Sequence, residues 1–199
     1  MKTRIAAAAL AAVAAAALCA APQAQAQNTD NWKPAWTEKN ELKQPVGYRQ
    51  WIYLGSPLTP EGLNDNKAGF PEFHNVYIPR QVLEAFKKTG EYPEGSIFVK
   101  ELQLTLPPAG FPDGSRTEVS GRGYFPGVFN GMDVMVKDSK RCATTNNWCY
   151  FNFGHHALPY EKTSAIIPVE KCAACHIAAA DKNMHFTQFY QLLMPGLKP

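Results

Sequence analysis

Ser96-Ile97-Phe98-Val99-Lys100-Glu101-Leu102-Gln103-Leu104-Thr105-Leu106 occupies the middle of the chain. It has no Gly or Pro and is rich in β-branched and large apolar residues, so it reads as a strand. Side chains of a strand alternate between faces. One face carries Phe98, Lys100, Leu102, Leu104 and Leu106; the other carries Ile97, Val99, Glu101, Gln103 and Thr105. The more apolar face therefore holds a lysine. The ordinary resolution is a side chain that snorkels to the edge of the core.

Across its length the chain holds 16 Pro and 14 Gly that punctuate short apolar runs. That pattern predicts an α+β domain, mainly antiparallel sheet with a few helices. Phe73 to Ile78, Gly121 to Lys137 (one long strand or two, broken near Gly127 or Gly131) and Trp148 to Phe153 read as strands. Tyr48 to Leu54 reads as a short strand or helix. Pro79 opens a helix to about Lys88, with Val82, Leu83 and Phe86 as its apolar stripe and Gly90 as its stop. A C-terminal helical region follows Pro168, and Phe186 to Met194 reads as a last helical segment.

The first residues are Met-Lys-Thr-Arg, then Ile5 to Ala21 without charge, then Ala24-Gln25-Ala26. This is the layout of a secretory signal peptide over residues 1–26. The run is mostly Ala and marginal for the roughly 20 residues that span a bilayer. Residues 27–45 read as an extended, poorly ordered leader, and 46–199 as one domain. Export places the protein in the periplasm, with no membrane span after cleavage. The formal net charge is +3, and Lys2 and Arg4 leave with the signal. The remainder is nearly neutral with no basic block, so nothing argues for a nucleic-acid partner and none is expected.

Four cysteines follow the signal. Cys172-Ala173-Ala174-Cys175-His176 has the spacing of a c-type haem attachment site. Two thiols one helical turn apart can form thioethers to the haem vinyl groups. His176 then projects toward the iron as the proximal ligand. A thioredoxin-like pair needs no following His, and a structural zinc site needs two more soft ligands at a usual spacing. One covalently bound haem c is the expected cofactor. Cys142 and Cys149 read as a disulfide of an oxidising compartment, worth about 2 kcal/mol, or as two unpaired thiols packed behind Trp148. Among the other candidate ligands, Met184 lies too close to His176 to reach the opposite haem face and reads as core. His155 and His156 read as surface. The iron is expected to be five-coordinate.

Several stretches together resemble the cytochrome P-460 family: Tyr48 to Trp51, Leu63 to Ala68, Val76-Tyr77, Lys87 to Glu91, Gly95 to Leu102, Gly123 to Phe125, Val136 to Ser139, Asn147-Trp148 and Glu170 to His176. The resemblance implies a homodimeric antiparallel fold around a five-coordinate c-type haem with a lysine bonded to a porphyrin meso carbon. Lys100 matches that lysine. It also implies oxidation of hydroxylamine to nitrous oxide or nitrite, with electrons passing to a soluble cytochrome. A distal acidic residue moves protons in that family, and Asp133 aligns with it, although the best-known members carry Glu. Read from the residues alone, Asp133 is equally a solvated strand residue. Phe70 is a pocket wall or ordinary core. Two other functions fit a haem c: the nitric-oxide binding of the β-type cytochromes c′, which share the fold without the crosslink, and plain electron transfer with a sixth ligand.

Overall fold

The computed structural model describes residues 32–180 and 184–194; the signal segment 1–26 lies outside them. In chain order the strands are β1 (Leu42–Lys43), β2 (Ile52–Gly55), β3 (Phe73–Ile78), β4 (Ile97–Thr105), β5 (Arg116–Glu118), β6 (Gly121–Gly123), β7 (Pro126–Lys137), β8 (Trp148–Asn152) and β9 (Thr163–Ser164). The helices are α1 (Arg80–Thr89) and α2 (Ala173–Ala179). The architecture is α+β, dominated by one antiparallel sheet of order β2-β3-β4-β7-β8.

β4, the opening stretch, is the central strand. Central placement explains why both of its faces are buried. Phe98 joins a core with Val76 of β3, Val82, Leu83 and Phe86 of α1, Tyr150 of β8 and Leu193. Ile97 and Val99 join a second core with Met132, Val134, Val136, Phe151 and Tyr160. Glu101 lies on this second face at 0% exposure. It accepts hydrogen bonds from the hydroxyls of Tyr48 (2.7 Å) and Tyr160 (3.0 Å) and from Arg49.

α1 starts after Pro79 and ends at Gly90, whose φ of 75° is the left-handed cap that glycine takes without strain. The break in the long strand falls at Tyr124-Phe125, between β6 and β7, and not at Gly127 or Gly131. Gly131 is internal to β7 because a Cβ there would lie 3.1 Å from the Gly154 carbonyl oxygen. The expected last helix is instead two short 3₁₀ turns, Thr187–Phe189 and Gln191–Leu193.

The described part of the expected leader, 32–45, differs from a loosely ordered arm. β1 pairs with β9, Leu42 is fully buried, and the Trp36 ring meets Phe151 edge-on at 5.8 Å. Three apolar anchors, Trp32, Trp36 and Leu42, cover the second core and offset the ordering entropy of their polar neighbours. The packed domain therefore begins before residue 46.

Asp138, just past β7, secures the loop that leads to Cys142. It accepts from the amides of Lys140 (3.1 Å) and Arg141 (2.9 Å) and from the Arg141 guanidinium (2.6 Å). Burial opposes its ionisation, but those donors outweigh burial and hold the carboxyl below its usual range. A carboxylate depressed in the fold stabilises above its unfolded pKa, and that stability is lost as pH falls through the folded value. Asp138→Asn should thus lower urea stability by about 2 kcal/mol near pH 7 and by clearly less near pH 3. An equal loss at both pH values would remove the charge from the explanation.

Candidate functional site

α2 carries both thiols and the imidazole of the Cys-x-x-Cys-His segment. Cys172 stands at its N-cap, and Cys175 and His176 lie within it. Ala173, 1% exposed, seats the helix on the first core, and the Ala174 amide donates to the Val169 carbonyl at 2.9 Å. The small side chain at 173 lets the helix sit closely on the core, while Ala174 faces outward. Cys172 and Cys175 are both free thiols, whereas Cys142 and Cys149 are bonded to each other.

The His176 Nδ1 lies 2.7 Å from the Met184 carbonyl oxygen. A carbonyl only accepts, so Nδ1 carries the proton and Nε2 keeps its lone pair. That is the tautomer an iron ligand requires, with its other nitrogen already held by a second partner. The ring lies between Tyr150 and Phe186, each 4.9 Å away by centroid, and burial pushes its pKa down. The neutral, ligating form is favoured.

Beside α2 lies a cavity of about 390 Å³, bounded by the first face of the sheet and by the C-terminal turns. This size falls within the range of cofactor sites. Cys172, Cys175 and His176 line one side, and Phe70, Lys100 and Asp133 are also in its wall. Register explains the last two: Lys100 on β4 sits directly opposite Asp133 on β7. The Lys100 ammonium is 2.9 Å from Asp133 Oδ2 and 4.3 Å from the centre of the Phe70 ring. Asn152 of β8, the next cross-strand neighbour, donates to Asp133 Oδ1 at 2.7 Å. Lys100 thus resolves its place on an apolar face by pairing, and its side chain remains 29% exposed. Asp133 is a cavity residue and not a solvated strand residue. Phe70 lines the wall over the lysine while staying 42% exposed.

The other candidates separate clearly. The Met184 sulfur accepts from Asn146 at 3.3 Å, and Met184 is 6% exposed, so it is core. His155 pairs with buried Glu72 at 2.6 Å and His156 is exposed; neither lines the cavity. Met132 is buried on the opposite face of the sheet. Met135 does line the cavity, and so do two histidines that sequence reasoning gave no role, His74 and His185. Burial, followed by the charge of Lys100, lowers the His74 pKa. A signal for His74 existed: it precedes Val76 by two in β3 and so shares the face of Lys100. His185 gave no such signal, because only the folded chain places it against Tyr92, Phe98 and Trp148, at ring distances of 4.4, 4.2 and 4.3 Å. Burial pushes its pKa down to about 3.

The residues present fit a haem c. Two free thiols at the attachment spacing flank the cavity, His176 is in the ligating tautomer, and the lining is chiefly apolar and aromatic. The Tyr150 hydroxyl and both His185 nitrogens are buried without a hydrogen-bond partner, so the site also has polar capacity left over. Digestion of the double variant Cys172→Ala/Cys175→Ala should yield no haem on the peptide that spans residues 172–176, while the parent protein carries it there. A haem-free 172–176 peptide from the haem-loaded parent would place the attachment elsewhere.

No curated protein shows a significant match to the chain. A family model described as Cytochrome P-460 matches residues 45–187, from just after β1 to the first turn that follows His185.

Proposed function

Because the chain belongs to the cytochrome P-460 family, a family of haem c oxidoreductases, we propose that it oxidises hydroxylamine at a five-coordinate haem whose porphyrin is bonded to Lys100. The observation that carries this reading is the Lys100–Asp133 pair in the wall of the cavity that Cys172, Cys175 and His176 also line. A gas-binding protein with an apolar distal pocket has no use for either charged residue. Haem bound here supplies the iron centre that accepts electrons from the substrate.

The chain's own residues do the rest. Cys172 and Cys175 would tether the group from α2, and His176 would ligate its iron through Nε2. Phe70 presents its ring to Lys100 at 4.3 Å and forms part of the cavity wall. Hydroxylamine must lose protons as its electrons leave, and Asp133 is the carboxylate placed to accept them. In the structure Asp133 is engaged by Lys100 and Asn152. Consuming the lysine amine in a covalent bond would remove the charged partner and leave the carboxylate held by Asn152 alone, available to a substrate proton. Asp is one methylene shorter than the Glu of better-known relatives, and the position of Asp133 opposite Lys100 in the β4–β7 register puts its carboxylate in the cavity wall.

The wider setting belongs to the same proposal: periplasmic residence after removal of residues 1–26, a homodimer, and a soluble cytochrome as electron acceptor. Among the described residues no helix is long and apolar enough to cross a membrane. The test is steady-state hydroxylamine oxidation with a soluble cytochrome acceptor. Asp133→Asn should keep its haem and reduce kcat by about 10²-fold or more. An unchanged kcat would remove Asp133 from proton transfer, and no turnover by the parent protein would reject the activity itself.

A further inference from the structure

The loop closed by the Cys142–Cys149 disulfide has no part in the chemistry above, yet it touches the segment that holds the proximal histidine. The loop is satisfied internally. Thr145 Oγ1 donates to the Trp148 carbonyl at 2.7 Å and lies 3.1 Å from that of Cys142, and the Asn147 amide donates to Cys142 O at 2.9 Å. Asn146 and Asn147 take left-handed φ values of 51° and 68°, a conformation asparagine tolerates. From this frame two side chains reach residues 184–185. Asn146 Nδ2 donates to Met184 Sδ at 3.3 Å, and the Trp148 ring lies 4.3 Å from the His185 ring.

Met184 is also left-handed, at φ 65°. An unbranched residue with a Cβ gains nothing intrinsic there, so its surroundings must hold it. That conformation sets the direction of the Met184 carbonyl, which accepts the His176 Nδ1 proton at 2.7 Å. A hydrogen bond to the far nitrogen of a ligating imidazole fixes ring orientation and raises ligand basicity.

We infer that the disulfide-closed loop 142–149 is a positioning device for the proximal ligand, acting through Asn146 on Met184 and through Trp148 on His185 to hold the carbonyl that tunes His176. Asn146 and Trp148 are positioning residues that touch neither iron nor substrate. The inference rests on His176 as the iron ligand and is independent of the substrate.

The test uses the haem-loaded protein and two variants. Asn146→Gly removes the amide while keeping a residue that accepts positive φ. Cys142→Ala/Cys149→Ala opens the loop. The readouts are the iron–histidine stretching band of the ferrous protein by resonance Raman and the haem reduction potential. A weaker hydrogen bond makes His176 a poorer donor, so Asn146→Gly should lower the band frequency and raise the potential, with haem still attached at Cys172 and Cys175. The disulfide variant should shift both in the same direction and further. Band and potential at parent values in haem-loaded Asn146→Gly would overturn the inference even if the disulfide variant fails to fold. Shifts in a protein that does not oxidise hydroxylamine would keep this inference and reject the proposed activity.

Discussion

Lys100→Ala should still carry haem on Cys172 and Cys175 but lose hydroxylamine turnover by at least about 10²-fold. The magnitude follows from what the substitution removes. Lys100 pairs with Asp133 at 2.9 Å and lies over Phe70, so its loss unsettles the wall that faces the substrate. It also removes the amine that lines the cavity from β4 and that the proposal bonds to the porphyrin. A positioned acid–base group alone is worth about 10²–10⁴ in rate, and the substitution removes the proposed porphyrin bond that leaves Asp133 available to the substrate. The fold should tolerate the change. A partly exposed ion pair contributes at most about 1 kcal/mol, and the aliphatic stem of Lys100 is replaced by a side chain that fits the same row. Parent-like turnover in haem-loaded Lys100→Ala would show that the lysine is dispensable.

The largest stability effect should come from the next residue, on the other side of the same strand. Glu101→Ala is expected to lower the unfolding free energy by about 3 kcal/mol, read from urea denaturation followed by circular dichroism. Glu101 is fully buried and gathers Tyr48, Tyr160 and Arg49. Burial, together with the neighbouring carboxylate, holds both tyrosine hydroxyls in their neutral, donating form. Truncation leaves those hydroxyls without their acceptor and opens a void. Arg49 adds less to the loss, because its side chain is 46% exposed and can return to water. Glu101 faces away from the haem cavity, so turnover per folded, haem-loaded molecule should match the parent. A variant as stable as the parent would mean the cluster contributes nothing to the fold. Turnover that falls with the fold intact would mean the two faces of β4 are coupled.

These two neighbours also show how much the sequence disclosed. Alternation along β4 exposed Lys100 as a charge on an apolar face, but it could not supply the partner. The pairing with Asp133 depends on the β4–β7 register, a contact between distant segments. Glu101 drew no notice, because a carboxylate on the less apolar face looks solvated until β4 proves central and both faces prove covered. Local rules worked where the cause is local. Pro79 and Gly90 bracket α1, and the Cys172–His176 spacing marks the attachment helix. They failed where long-range burial decides. Trp36 and Leu42 sit among polar residues, so the segment read as a loose arm. His74 and His185 become cavity residues only once the strands and the C-terminal turns meet. Glycine was over-read in β7, where close approach of Gly154 and not a turn requires Gly131.

The proposed function depends on where the haem is bonded. Protease digestion of the haem-loaded protein, followed by mass spectrometry of every haem-containing peptide, is the direct measurement. The predicted species is one haem joining a peptide that contains Lys100 to the peptide that contains Cys172 and Cys175. Haem recovered only on the Cys172–Cys175 peptide, with an unmodified Lys100 peptide beside it, would contradict the account.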